Sequence, residues 1–292
     1  MVKMSIGAAF SETFAFLKAN WRQMLMWLGG AVVLVCLLGW LFLRNTVATM
    51  MMAQGDPSAA FGAMGSFFLF AIIAGVIVTA ASLLIWRSGL VGGEPASDIG
   101  WGLGAGAAYM FAMIVVYIAT IILMYIVLFI VGLLAVAIFG ASGMSLESLA
   151  TGGASAGLIF FAFLFYAAIL VFFLWFFGRL SVTGPLMAAS RSSNPFTAFG
   201  ESWRLTSASQ WTIVGFNILM AILFFVFLFI VSMVLGGVIG GAMSSPDAGA
   251  GALIGALIVA LLVYVPMVLV SVSMPAAVYR CVGSRTEADV FA

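Results

Sequence analysis

Histidine is absent from the 292 residues, only two cysteines are present, and charged residues make up 7% of the chain. Soluble domains carry roughly 25% charged residues, so this polypeptide cannot cover itself for water. The missing histidine and the scattered Asp and Glu leave no plausible ligand set for a zinc or di-iron site, and no cofactor is expected. A net charge of +1 without a basic stripe gives no footprint for nucleic acid. Cys36 lies inside the first apolar run and Cys281 at the end of the last, so free packing thiols are expected rather than a disulfide.

What fills the chain instead is apolar sequence: 65% hydrophobic residues and a mean hydropathy of +1.31. A helix needs about 20 apolar residues to cross about 30 Å of hydrocarbon. Six runs meet that length, at about 23–43, 65–86, 107–137, 156–178, 211–240 and 252–279. The third and fifth exceed the span, so they must tilt or project beyond it. Trp21, Trp27, Trp86, Trp175, Trp211 and Tyr279 fall near proposed ends of these runs, where interfacial aromatics belong. The connections around 54–58, 142–153 and 244–249 are short, rich in Gly, Ser and Ala, and read as turns.

Of the ten Lys and Arg, nine group on one side of this threading: Lys3, Lys18, Arg22, Arg87, Arg179, Arg191, Arg204, Arg280 and Arg285. Only Arg44 falls in a connection of the other kind. By the positive-inside rule both termini are expected in the cytoplasm. The first run exceeds the core of a signal peptide and the downstream charge pattern needs it, so it is read as a retained helix.

A motif recurs along the chain. Ala9-Phe10-Ser11-Glu12-Thr13-Phe14 precedes Trp21 at the first run, and Ala198-Phe199-Gly200-Glu201-Ser202-Trp203 precedes Trp211 at the fifth. A weaker version, Ser97-Asp98-Ile99-Gly100-Trp101, precedes the third, and each pair of runs closes on an arginine, Arg87, Arg179 or Arg280. The expected fold is therefore an all-α integral membrane protein, with six transmembrane helices arranged as three parallel hairpin modules. Each module should open with an amphipathic interfacial lead-in helix. The modules would occupy about 5–90, 96–190 and 194–282 of one polytopic domain, with 283–292 as a short cytoplasmic tail. Ile6, Phe10, Phe14 and Leu17 form the apolar stripe of the first lead-in segment. In the third, Asn194 is the expected N-cap and Pro195 the first helical residue.

The stretch Asn194-Pro-Phe-Thr-Ala-Phe-Gly-Glu-Ser-Trp-Arg-Leu-Thr206 resembles the membrane domain of some glycerophosphoryl diester phosphodiesterases and of related bacterial proteins, most closely at Ser202-Trp203-Arg204-Leu205-Thr206. The opening Ala9 to Trp21 and the closing Met274 to Arg280 resemble that domain's flanks, which extends the likeness over nearly the whole chain. The resemblance implies a stand-alone membrane domain in a bacterial inner membrane. Phosphodiesterase activity in that family belongs to a separate soluble barrel bearing His and acidic metal ligands, which this chain lacks, so no catalytic residue carries over.

Candidate contacts with lipid headgroups or a partner are Lys18, Arg22, Arg179, Arg191 and Arg204. Arg179 is expected to snorkel to the headgroups, although a buried cation lining a cavity is the other reading. Asn217 suits a hydrogen bond between helices better than a substrate contact, and the pairs Gly236 with Gly240 and Gly251 with Gly255 have the spacing that lets helices approach closely. The preferred function is a non-enzymatic multi-pass membrane scaffold that organises lipids or a protein partner. The alternatives are a transporter or channel for a hydrophobic or lipid-like solute, and an intramembrane lipid enzyme using Glu12, Asp98, Glu201 and Arg179.

Overall fold

Nothing between Ile6 and Met52 interrupts an α-helical backbone, since the segment has no proline and its Thr13 and Asn20 side chains turn back on the helix. Thr13 Oγ1 donates to the Ala9 carbonyl at 2.7 Å and Asn20 Nδ2 to that of Phe16 at 2.9 Å, so neither competes for an outside partner. The result is a single helix of 47 residues, α1, about 70 Å long at 1.5 Å per residue. The computed structural model describes residues 4–52, 57–141, 156–243 and 249–288. After α1 come α2 (Pro57–Val91), a 3₁₀ turn (Pro95–Asp98), α3 (Ile99–Ala141), α4 (Ala156–Leu180) and the short α5 (Thr183–Ser190). Then α6 (Pro195–Thr206) leads through a second 3₁₀ turn (Ser207–Ser209) into α7 (Gln210–Met243), and α8 (Gly249–Ala288) completes the described chain.

Six of these stretches are long and apolar enough to cross a membrane, and no strand occurs among the described residues. The chain is an all-α, multi-pass membrane protein. Helix α1 packs against α2 and α8, α2 against α3 and α5, and α7 against α4 and α8. Among the described residues α3 lies mainly on α2 and α4 mainly on α7, and those two meet where the rings of Tyr117 and Phe177 stack at 4.7 Å. The buried core gathers at the end where the arginines lie, around Phe16, Leu83, Ile85, Met187, Phe216 and Val278. Farther along, Tyr125, Phe129, Phe163, Phe225 and Phe229 face outward, as side chains bathed in hydrocarbon do.

The lead-in segments depart from expectation. A separate lead-in helix occurs only in the third, where Asn194 Oδ1 accepts from the amides of Phe196 and Thr197 at 3.1 and 3.4 Å and Pro195 takes the first position. The first is continuous with α1, and the amphipathic stripe from Ile6 to Leu17 contains no residue that would turn a corner, so it cannot lie flat while the rest of α1 spans. In the second, the lead-in is the one-turn Pro95–Asp98 segment, with α3 following at once. The expected tail is helical as far as Ala288. The expected outer turns lie outside the described residues, apart from Pro57 and Ser58 in α2 and Gly249 in α8.

Two glycines mark close packing of different kinds, against main chain and against a rigid ring. At Gly106 of α3, a Cβ would stand 2.9 Å from the Ala80 backbone nitrogen, so α2 and α3 touch main chain to main chain. At Gly104, two residues away, a Cβ would meet nothing within 4 Å. Gly106→Ala is expected to destabilise the bundle by about 1–3 kcal/mol. Gly104→Ala is expected to be neutral or stabilising by up to about 1 kcal/mol, because it lowers the entropic penalty of a helical glycine. Thermal unfolding of the two variants in the same detergent checks the contrast.

The second is Gly184 in α5, whose missing side chain is filled by the Trp86 ring. Trp86 was expected at the membrane interface, yet it is 7% exposed and its Nε1–H donates to the Val272 carbonyl at 2.7 Å. Pro275 has no N–H for the Ser271 carbonyl, and its ring crowds the turn that contains Val272. An indole from α2 thus donates to a carbonyl in the turn that proline strains, and α8 continues through both Pro266 and Pro275.

Candidate functional site

Arginine at the end of an apolar helix has two outlets: water beyond the headgroups, or partners within the protein. Arg87, Arg179 and Arg280 take the second. Arg87 Nε donates to Asp98 Oδ2, its Nη1 donates to the Ala188 carbonyl at 3.0 Å, and the guanidinium lies 5.6 Å from the Trp101 ring. Arg179 Nη1 donates to Gln210 Oε1 at 2.8 Å and Nη2 to the Trp203 carbonyl, with the Trp203 ring 4.3 Å from the guanidinium. Arg280 pairs with Glu12 at 3.7 Å, donates to the Gly89 carbonyl at 2.7 Å and lies 5.0 Å from the Phe16 ring. The arginine after the second apolar run therefore reaches the segment that opens the third run. The one after the fourth run reaches the segment opening the fifth, and the one after the sixth run returns to α1. Each rests on an aromatic face, where the ring quadrupole attracts the cation. The circuit ties the two ends of the chain together.

Asp98 is the most enclosed acid of this circuit, 6% exposed, and it serves two cations: Arg191 Nη2 approaches its Oδ1 at 2.9 Å while Arg87 holds Oδ2. Arg191 reaches it from the end of α5 with a backbone φ of 53°. The turn is fixed by the amide of Ser192, which donates to the Met187 carbonyl at 3.0 Å. That left-handed conformation costs a non-glycine residue about 1 kcal/mol. Arg191→Ala and Arg191→Gly both remove the ion pair, and the glycine variant is expected to be the more stable by about that amount, read as the difference between their melting curves in detergent.

The remaining expected contact residues separate by surroundings. Lys18, Arg22 and Arg204 are exposed, and no carboxylate comes within ion-pair distance of them among the described residues. Arg191 is exposed but paired with Asp98. Arg179 corrects the expectation of a snorkelling side chain: it is 6% exposed and turned inward. The reason is the Ser202-Trp203-Arg204-Leu205-Thr206 stretch, which forms its receptacle. Ser202 Oγ and Thr206 Oγ1 donate to the Arg179 carbonyl at 2.7 and 3.3 Å, capping the end of α4, while Trp203 supplies the ring and a carbonyl for the guanidinium. Gln210 Oε1 adds to it by accepting from Arg179 and, at 3.1 Å, from Trp175 Nε1, while Arg179 Nε has no acceptor among the described residues. Gln210 carries no motif, and the sequence revealed neither its role nor the packing role of Gly184.

Asn217 lies beside Gly178, where a Cβ would stand 3.4 Å from its amide nitrogen, so it sits at the contact of α4 with α7. A Cβ at Gly236 would meet nothing within 4 Å among the described residues. The side-chain surroundings of Gly240, Gly251 and Gly255 lie outside the described residues.

Beside the arginine circuit the surface is indented by an apolar groove of about 370 Å³ between α1, α2 and α3, with Met26, Leu34, Leu84 and Leu103 as walls. Among the described residues no group of three His, Cys, Asp or Glu side chains is placed to hold a metal ion. Chemically, the arrangement offers one enclosed ion pair and hydrogen-bonded arginines that fasten helices together, and an exposed basic rim next to an apolar groove. Comparison with family models, with curated proteins and with solved structures finds no match to this chain.

Proposed function

We propose that this multi-pass protein is a non-enzymatic scaffold that organises membrane lipids or a protein partner in a bacterial inner membrane, its arginine-rich end and both termini facing the cytoplasm. The observation that carries the reading is the use made of the arginines that close the helix pairs. Arg87, Arg179 and Arg280 are each engaged by the segment that opens another pair of helices, so they fasten the bundle. Proton transfer in a catalytic site needs a titratable group held against substrate, and Asp98 is instead held by two guanidinium groups. The charges left open, Lys18, Arg22 and Arg204, border the headgroup layer, where cations attract anionic lipid. The chain is further read as a relative of the phosphodiesterase membrane domain, on the strength of the segment that cradles Arg179.

Reconstitution tests this directly. Proteoliposomes containing the purified chain are expected to translocate fluorescent phospholipid no faster than protein-free vesicles and to hydrolyse none of it. Translocation that rises in proportion to protein content would replace the scaffold with a transporter of a lipid-like solute. Release of a headgroup or an acyl chain would replace it with an enzyme.

A further inference from the structure

We propose that the groove between α1, α2 and α3 holds one acyl chain of an anionic glycerophospholipid, with the phosphate at Arg22 and Lys18. The proposal rests on the scaffold reading and deepens it by naming a ligand and a place. The groove is built by omission: Gly30, Ala80 and Ala81 form its floor, and a Cβ at Gly30 would meet nothing within 4 Å. Met26 and Leu34 of α1 and Leu103 of α3 rise beside it and are exposed toward the surrounding hydrocarbon. In hydrocarbon there is no aqueous phase to drive an apolar ligand in, so shape and headgroup charge must supply the preference. A chain lying in the groove touches protein on several sides and gains dispersion contacts that it lacks in bulk lipid.

Charge decides the headgroup. Arg22 is one helical turn before Met26 and Lys18 one turn before Arg22, both exposed and without a carboxylate partner among the described residues. Arg22 rests 5.4 Å from the Trp21 ring, which stations its guanidinium at the level of the aromatic belt. The acid nearest the groove in sequence is Asp98, which precedes the lining residue Ile99. Both its oxygens are engaged by Arg87 and Arg191, so this node carries one net positive charge and does not repel a phosphate. Gln23, one turn before Trp27 in the groove wall, accepts a hydrogen bond from Ser88 at 2.7 Å, which leaves its amide hydrogens as donors for a lipid ester.

Native mass spectrometry of the intact chain, titrated with dioleoylphosphatidylglycerol or dioleoylphosphatidylcholine, tests the site. The expected result is one tightly retained phosphatidylglycerol, favoured over phosphatidylcholine by about fivefold or more. Gly30→Leu should abolish that retention and Gly30→Ala should weaken it. Gly29→Leu, at a neighbouring position that is also unobstructed but outside the groove lining, should retain the lipid. Lys18→Gln with Arg22→Gln should remove the headgroup preference and leave chain binding. Undiminished phosphatidylglycerol binding by a folded Gly30→Leu variant overturns the groove and leaves the scaffold reading standing. Retention of neither lipid by the unsubstituted chain overturns the lipid site, whereas the scaffold reading falls only to translocation or hydrolysis in the reconstitution assay; a dimer that Gly30→Leu dissociates assigns the groove to a second copy and overturns the lipid.

Discussion

Gly184→Ala is expected to lower stability by about 3 kcal/mol, far more than an added methyl group at an open helical position such as Gly104. The new Cβ would overlap Cζ3 of Trp86 and stand 2.9 Å from Cη2. The indole is rigid and enclosed, so it can make room only by moving as a body. Its movement breaks the hydrogen bond from Nε1 to the Val272 carbonyl in the turn before Pro275 and leaves the enclosed indole N–H without an acceptor. One methyl therefore disturbs α2, α5 and α8 together. Unfolding followed by tryptophan fluorescence in detergent measures the loss, and a double-mutant cycle identifies its cause. Trp86→Ala alone should cost about 3–5 kcal/mol through the cavity it leaves. In that background Gly184→Ala should cost almost nothing, because the clash is gone. Additive losses from the two changes would contradict the account.

Asp98→Asn is expected to cost about 2–3 kcal/mol. Removing one member of an enclosed ion pair strands the others, at about 3–5 kcal/mol for fully buried cases. The lower figure applies because the Arg191 side chain is 56% exposed and recovers part of its hydration. Arg87 has no such escape, with its side chain 17% exposed and its Nη1 already committed to the Ala188 carbonyl. Two cations would then face each other across a neutral amide. Arg87→Gln added to Asp98→Asn should restore part of the loss, which is the signature of a stranded charge. Equal stability of Asp98→Asn and the unsubstituted chain across the usual range of salt would show that this node fastens nothing.

The membrane class was legible because hydrocarbon imposes one rule on every spanning segment, that of length and apolarity, and the six runs obey it without help from tertiary contacts. The Asn194-Pro195 helix start was legible for a similar reason: a cap is a local bargain between a side chain and the next two amides. Arg179 was misread because snorkelling is the default only when nothing encloses the side chain. Its enclosure comes from Trp203 and Gln210, 24 and 31 positions farther on. The first lead-in segment was misread because an amphipathic stripe fixes which face of a helix is apolar and says nothing about whether the helix bends. Packing glycines escaped by the same logic: Gly106 and Gly184 act through what stands opposite them, the Ala80 backbone and the Trp86 ring, which no spacing rule along one helix reveals.

Single cysteines introduced into a Cys36→Ser, Cys281→Ser background and labelled with a membrane-impermeant maleimide test the threading itself. Positions 18, 191 and 204 should react only when the cytoplasmic face is opened, and position 44, 22 residues or about 33 Å along α1 from Arg22, should react from the outside of intact cells. Labelling of positions 18 and 204 from opposite faces would contradict a bundle whose cations share one end.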